Sequence, residues 1–563
     1  MSTVPVDGPG LPVPPGYGPD AEPDAVRRAI HALASSGRFS SYLTYSRPGR
    51  RWFAAAAGPA PAEILMSQRE ISWRSPGSTG SVPLGPRPLR RLGDIVHSCT
   101  PQGRQAYGYV AFEVGQLIHG ATIRHVPTPL AHFLVPDLEI RWDAAGSSVT
   151  CPDASLRGLV RDLCVAGPAV RISPPRPVDL TDDTDRRRFE QAVARVVARI
   201  KAGRLHKAIV SRQVTIPFPV DLVRTYLLGL TGNTPARSFL LQLGELRAAG
   251  FSPEVVVEVS AEGLVHTQPL AGTRPFGAHP EQNRRWRHEL SWDAKECFEH
   301  CISVRLATEE LDPLCDPATV GVTELLKVKE RGTVQHLGSQ VGGQLSAGRD
   351  AWDALEALFP AVTASGVPKR EALDTIGALE PVGRGLYAGA VCMAGSDGSL
   401  DAALALRTVF QTDRRSWLQA GAGIVRDSEP AFEFTETTNK LRSVAGFIVP
   451  AAGPLPPDGL GAVLTTTGDT MTDEQSRHST EQIAQVLRTA LVDLGIDEQS
   501  ITPVSRLRRD LELDSTELVQ ISLELSRSCG RKVKLESDTD YSFTEVCALV
   551  ADVAIAGAGS AAP

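Results

Sequence analysis

TDRRRFEQAVARVVARIKAGRLHKAIVSRQVTI (184–216) carries two structural periods in succession. Over 184–202 the apolar residues Phe189, Val193, Val196, Val197 and Ile200 recur at helical spacing, and Gly203 ends the pattern. From Lys207 the period drops to two: KAIVSRQVTI alternates and is β-branched, which predicts a strand. Working outward, the pattern predicts a helix over about 293–311 and further strands in AALALRTVFQT (402–412) and WLQAGAGIV (417–425). Long strands lie near helices without regular βαβ spacing. That combination predicts an α+β fold with mostly antiparallel sheets and flanking helices.

Length and composition bound the rest. A chain of 563 residues has room for three or four domains of roughly 150 residues, or for one large enzyme domain with a smaller companion. The 42% apolar content excludes a wholly disordered chain. The net charge of −7 argues against a general nucleic-acid binder. Residues 478–552 hold 14 acidic and 8 basic residues, so one short segment carries nearly all of the surplus. Nine cysteines, an odd number with no C-x-x-C pair, read as free thiols of a reducing cytoplasm. No basic-then-apolar leader opens the chain, and no run nears the ~18–20 apolar residues of a membrane helix. A cytoplasmic protein without membrane or nucleic-acid partners is expected. Proline and glycine mark the boundaries: a tail at 1–22, a large unit at 23–449, a flexible linker at 450–477, a compact segment at 478–556 and a second tail at 557–563. SPGSTGSVPLG (75–85) lacks the lysine of an adenylating phosphate loop and reads as a plain loop. GRGLYAG (383–389) is one residue too long for a dinucleotide fingerprint.

Glu296 and Glu299 are three apart on the 293–311 helix, and Glu433 and Glu436 repeat the spacing, with Lys440 one turn beyond. Residues at i and i+3 share a helix face. If the two helices face each other, four carboxylates converge, and such a set repels itself unless a hard cation sits among it. Taken alone, the spacing equally describes two solvated helix faces.

Five segments together resemble the chorismate-utilising enzymes, the family of anthranilate, isochorismate and salicylate synthases. They are KAIVSR (207–212), GFSPE (250–254) with PLAGTR (269–274), KECFEHCISVR (295–305), TASGVPK (363–369) and GAGIVRDSEPAFEFTETTNK (421–440). The likeness is close over 180–445 and extends over 22–180 as the family's variable N-terminal part. It implies Mg²⁺ held by Glu299 and Glu436 directly, with Glu296 and Glu433 close by or acting through water. It implies chorismate as substrate, with Tyr387, Arg407, Lys440 and the backbone near Gly423 on its carboxylates. Thr273, His336 and Thr363 also fall at substrate-proximal positions.

Adding a nucleophile at C2 of chorismate requires an acid for the departing C4 hydroxyl and, when the nucleophile is water, a base. A protonated glutamate and a neutral lysine form such a pair. The resemblance implies Glu254 as the acid and Lys207 as the base of a water-using member; ammonia users carry glutamine there. PLAGTR with Thr273, TASGVPK and GAGIV look more like the salicylate synthases than the isochorismate synthases. The expected reaction therefore runs through isochorismate to salicylate and pyruvate. Stopping at isochorismate is the nearest alternative, and a non-catalytic carrier scaffold a more distant one.

Ile483, Val486, Leu487, Ala490, Leu491 and Leu494 form an apolar stripe over 480–494, followed by LRRDLELDS, the apolar TELVQISLELS and a short helical pattern near 541–552. This resembles a small helical carrier bundle, acyl, aryl or peptidyl. The resemblance implies 4′-phosphopantetheine on Ser515, set at a helix start that favours phosphate. Thr516 departs from the aliphatic residue usual after that serine. The expected partners are a phosphopantetheinyl transferase, a separate aryl-adenylating ligase and a downstream synthase or acyltransferase, within siderophore or aromatic natural-product synthesis.

Overall fold

The computed structural model describes residues 24–451, apart from 58–61, 125–128, 145, 152, 167–169, 278 and 333, and then 480–493 with parts of 496–548. The chain divides into two compact units, Met1–Gly459 and Leu460–Pro563.

Two large sheets build the first unit, one of ten strands and one of twelve, and every described strand pair is antiparallel. Lys207–Ile216 lies near one end of the ten-stranded sheet, between the short strand Gly366–Val367 and Ser416–Ile424. Thr408–Gln411, Leu246–Ser252 and Arg237–Leu243 follow in that order. The twelve-stranded sheet begins with Leu270–Pro275 beside Val334–Gln344 and passes through Val255–Val259, Leu400–Leu404 and Ala390–Gly395.

Alternation decides which side chains meet. Leu43, Tyr45, Trp52 and Ala54 point into a core shared with Tyr107, Phe133, Val257, Val391 and Ala402 of the other sheet. Their neighbours Tyr42, Phe53 and Ala55 point the opposite way, onto the helices Asp24–Ala34, Leu222–Gly229 and Pro430–Ala445. Complete burial of each large apolar side chain contributes about 1.5–3 kcal/mol. The same alternation governs Lys207–Ile216. Ala208 and Val210 pack with Phe189, Val193 and Val196 of the helix Asp183–Lys201, which leaves Lys207 and Ile209 for the opposite face. Asp182 caps that helix by accepting from the backbone N–H groups of Thr184 and Asp185.

The helices predicted at 184–202 and 293–311 occur as Asp183–Lys201 and Ala294–Leu311. The strands predicted from Lys207 and near Trp417 occur as Lys207–Ile216 and Ser416–Ile424. Two expectations are corrected. AALALRTVFQT is not one strand: Leu400–Leu404 belongs to the twelve-stranded sheet and Thr408–Gln411 to the ten-stranded sheet. The backbone changes sheets between them, with Arg407 at φ +49°. The 75–85 segment is a hairpin arm rather than a loop. Ser78–Pro83 pairs with Glu70–Ser75 at a sheet edge, where the exposed side chains of an edge strand carry no apolar signal.

In the second unit, Thr480–Asp493 is helical, as expected of the 480–494 stripe, and residues 543–548 are helical too. Ile483, Leu487, Leu491, Leu507, Leu518, Ile521, Leu525, Phe543 and Val546 share one buried cluster. Ser515 and its neighbours Asp514 and Thr516 lie outside the described residues. No helix among the described residues is long and apolar enough to cross a membrane.

Candidate active site

One cavity of about 480 Å³ gathers side chains from both sheets and both carboxylate-bearing helices. Lys207, Glu254, Thr273, Glu296, His336, Thr363, Tyr387, Arg407, Gly423, Glu433, Glu436 and Lys440 all line it. Of the positions singled out in the large unit, Glu299 alone is not placed there: it stands on the helix Ala294–Leu311, and its side chain lies outside the described residues.

Lys207 starts its strand and is 8% exposed. Gly423, opposite Ile209 on the neighbouring strand, leaves room for it: a Cβ there would stand 3.1 Å from Lys207 Cε. Glu254 sits between the strands Leu246–Ser252 and Val255–Val259 and is 4% exposed. Its Oε1 accepts from Thr363 Oγ1 at 2.6 Å. Burial pushes the Glu254 carboxyl up to about 8, against the Thr363 hydrogen bond, the Lys207 charge and the Leu270 N–H, which all favour its ionised form. At neutral pH Glu254 is therefore mostly protonated.

Arg407 and His336 form a second group. His336 Nδ1 lies 2.9 Å from the Gly272 carbonyl. A carbonyl only accepts, so Nδ1 carries the hydrogen and Nε2 is free to accept from Arg407 Nη2 at 2.5 Å. Thr273 Oγ1 approaches the same Nδ1 at 3.3 Å. Burial, then the Arg407 charge, hold His336 well below the usual imidazole range, so it is neutral. Arg407 also donates from Nη1 to the Arg331 carbonyl at 3.1 Å. Burial and the Arg331 guanidinium bring Arg407 down to about 10, which leaves it charged at neutral pH. A fixed, desolvated guanidinium beside a neutral imidazole is suited to binding a carboxylate. Tyr387 is buried nearby, and its hydroxyl stands 3.1 Å from the place a Cβ on Gly421 would take.

The carboxylates line the other wall. Glu436 pairs with Lys440 Nζ at 2.6 Å, and the same nitrogen donates to the Gly421 carbonyl at 3.0 Å. Glu296 pairs with Arg274 Nη1 at 3.4 Å, while Arg274 Nη2 holds Asp293 at 2.8 Å. Gly272, at φ +63°, lets Glu296 approach: its Cβ would lie 3.0 Å from Glu296 Oε2. Glu433 is 2% exposed. Among the described residues no three His, Cys, Asp or Glu side chains cluster tightly enough to hold an ion by themselves. The donor set nevertheless fits a hard cation, because carboxylates from two helices border one cavity and offer only oxygen.

Arg274, Gly272 and Gln419 also line the cavity and had no assigned role in the sequence reading. The signal for Arg274 and Gly272 was their place in PLAGTR. Gln419 had none beyond its strand, where its Nε2 donates to Ser211 Oγ at 2.8 Å.

Comparison with known proteins gives the family and the fold. Residues 44–446 match the family described as chorismate binding enzyme. The salicylate synthase of Mycolicibacterium paratuberculosis is 40% identical over 445 residues, which cover 79% of this chain and 96% of that protein. Anthranilate synthase component 1 of Streptomyces coelicolor is 42% identical over 288 residues, 50% of this chain and 55% of its own length. Among solved structures, anthranilate synthase component I of Streptococcus pneumoniae superposes with a TM-score of 0.60 at 27% identity, covering 71% of this chain and 92% of that one. The menaquinone-specific isochorismate synthase of Escherichia coli shares the fold, with a TM-score of 0.56 at 20% identity over 74% of this chain and 91% of that one. Sheets, cavity and sequence together make this chain a member of the chorismate-binding enzyme family.

Proposed function

We propose that the chain converts chorismate, through isochorismate, to salicylate and pyruvate in a Mg²⁺-dependent reaction. The observation that carries this reading is the sharing of one buried cavity by Lys207 and a mostly protonated Glu254. The 40% identity to a salicylate synthase over nearly that protein's whole length supports it.

Water adds at C2 while the ring double bonds shift and the C4 hydroxyl departs. Lys207, in its neutral form, takes a proton from the water, and Glu254 gives one to the leaving hydroxyl. Thr363 holds the Glu254 carboxyl in place throughout. Arg407, oriented by His336, and Tyr387 bind carboxylate on the substrate and keep it from turning. In the second half-reaction the C2 hydrogen moves to the enolpyruvyl methylene as the C3–O bond breaks, and the ring becomes aromatic. That step needs no acid or base, only a held conformer. Glu296, Glu299, Glu433 and Glu436 are the residues to hold Mg²⁺, which when bound supplies positive charge for the ring carboxylate.

The second unit reads as a carrier that takes a 4′-phosphopantetheine arm on Ser515 from a transferase. Free salicylate does not acylate a thiol, so a separate aryl-adenylating ligase would load it and a downstream synthase or acyltransferase would unload it. The described helical core and the acidic surplus support this reading.

The deciding experiment incubates the full chain with chorismate and Mg²⁺ and identifies the products by chromatography and mass. Equal amounts of salicylate and pyruvate support the proposal. Accumulated isochorismate refutes the second half-reaction, and no turnover refutes the enzyme reading.

A further inference from the structure

Arg384 lies behind the cavity wall, outside the lining residues, and is 2% exposed. Its guanidinium makes four hydrogen bonds to three separate segments. Nε donates to Glu380 Oε2 at 2.9 Å, and Nη2 to Glu380 Oε1 at 2.6 Å. Nη1 donates to the Ala364 carbonyl at 2.7 Å, and Nη2 also to the Ile209 carbonyl at 2.6 Å. Ile209 is two residues from Lys207 on the same face of its strand. Ala364 follows Thr363, the donor that holds Glu254. The guanidinium also lies over the ring of Tyr387 at 5.6 Å and over Phe112 at 4.3 Å.

Its own backbone is fixed as well. Glu113 Oε1 accepts from the N–H groups of Arg384 and Gly385, at 2.7 and 3.2 Å. Glu380, buried in turn, accepts from both the backbone N–H and the hydroxyl of Ser211, one alternation beyond Ile209. Three walls of the cavity therefore converge on one planar cation: the Lys207 strand, the Thr363 turn and the Tyr387 loop.

From this convergence we propose that Arg384 is a positioning residue that sets the separation of Lys207 and Glu254. It touches neither residue and reaches no substrate. It acts through two carbonyls, each next to or near a residue of the proposed acid–base pair. Placing a guanidinium in a buried position costs desolvation free energy, and a well-packed apolar pair of similar volume is often no less stable. A fork of five donors in fixed directions does what neither an apolar side chain nor a lysine can do, which is to hold two carbonyls and a carboxylate at set angles. The inference rests on the proposed acid–base chemistry and assigns a part in it to a residue outside the cavity.

The two half-reactions separate positioning from folding. Exchange of the C4 hydroxyl of chorismate for one at C2 needs the acid and base in register; pyruvate loss needs neither. Arg384→Lys keeps the charge beside Glu380 but cannot span both carbonyls. We expect its kcat for chorismate consumption to fall about 10²-fold, the scale of a misplaced catalytic group. Its KM should stay within about threefold, and salicylate formation from supplied isochorismate should stay within about threefold of wild type. A matched loss in both half-reactions would overturn the proposal and leave Arg384 a structural residue. If Arg384→Lys does not fold, the double variant Arg384→Met with Glu380→Leu removes both buried charges together and is read the same way. Near-normal chorismate turnover in either folded variant also overturns the proposal. Wild-type chain that makes no salicylate from chorismate would instead count against the reading of the reaction.

Discussion

Thr363→Val removes one hydroxyl and nothing else of size. In the structure that hydroxyl donates to Glu254 Oε1 at 2.6 Å and so favours the ionised carboxylate. With the Glu254 carboxyl at about 8, roughly ten molecules are protonated for each ionised one at pH 7. A hydrogen bond to a charged group contributes about 1.5 kcal/mol or more, and 1.36 kcal/mol corresponds to one pH unit. Losing it disfavours the carboxylate, so the Glu254 titration moves upward by about one unit. The assay is the initial rate of chorismate loss under kcat/KM conditions, followed from pH 6 to pH 10, because kcat/KM reports groups of the free enzyme. Wild type should lose activity on the alkaline side with a midpoint near 8, and Thr363→Val near 9. The plateau heights of the two proteins need not match; the midpoint decides. An alkaline limb that stays where it is, or moves to lower pH, would refute the assignment of that limb to Glu254 and with it the acid role.

Lys207→Gln and Glu254→Gln should each lower turnover by about 10²-fold or more while substrate binding survives, measured as kcat against dissociation constant. Glu254→Gln should also change stability with pH. The folded carboxyl titrates at about 8 against an ordinary value of 4.5, so wild type loses stability as pH rises through that window and the variant does not. The Tm advantage of Glu254→Gln should therefore be small at pH 5 and largest above pH 8; an advantage independent of pH would contradict the shift. Chelation should abolish turnover and added Mg²⁺ restore it, with Glu436→Gln raising the Mg²⁺ concentration needed for half-maximal rate. A phosphopantetheinyl transferase with coenzyme A should add one arm to the chain and none to Ser515→Ala, by intact mass, while salicylate formation is unchanged in that variant.

Local patterns were readable where one face of an element is buried. The strand from Lys207 and the helix before it were legible because Ala208 and Val210 pack on Phe189 and Val193, so both periods survive in the sequence. Lys207, Glu254, Thr273, Thr363, Glu436 and Lys440 were legible because they sit in short motifs. The break at Arg407 was not, since AALALRTVFQT stays apolar on both sides of the crossing and a left-handed arginine leaves no compositional mark. Arg384 was equally hidden: its partners are backbone carbonyls of Ile209 and Ala364, which any residue could supply. Sheet order was out of reach for the same reason, because partners such as Tyr45 and Phe239 are joined only by the tertiary fold.

The early part of the chain supplies strands to both sheets, and this shapes how the protein is made. Gln105–Val110 pairs with Ala390–Gly395, which leaves the ribosome about 280 residues later. At about 5–20 residues per second the first strand waits on the order of 15–60 s for its neighbour. Tyr42–Arg47 waits less long for Arg237–Leu243, yet also spends synthesis with an open edge. Nascent chains would thus expose unpaired, apolar strand edges for much of translation, the condition under which chaperones are recruited. Slowing elongation beyond residue 150 should lengthen that exposure and lower the soluble yield, whereas the same pause placed after residue 451 should not.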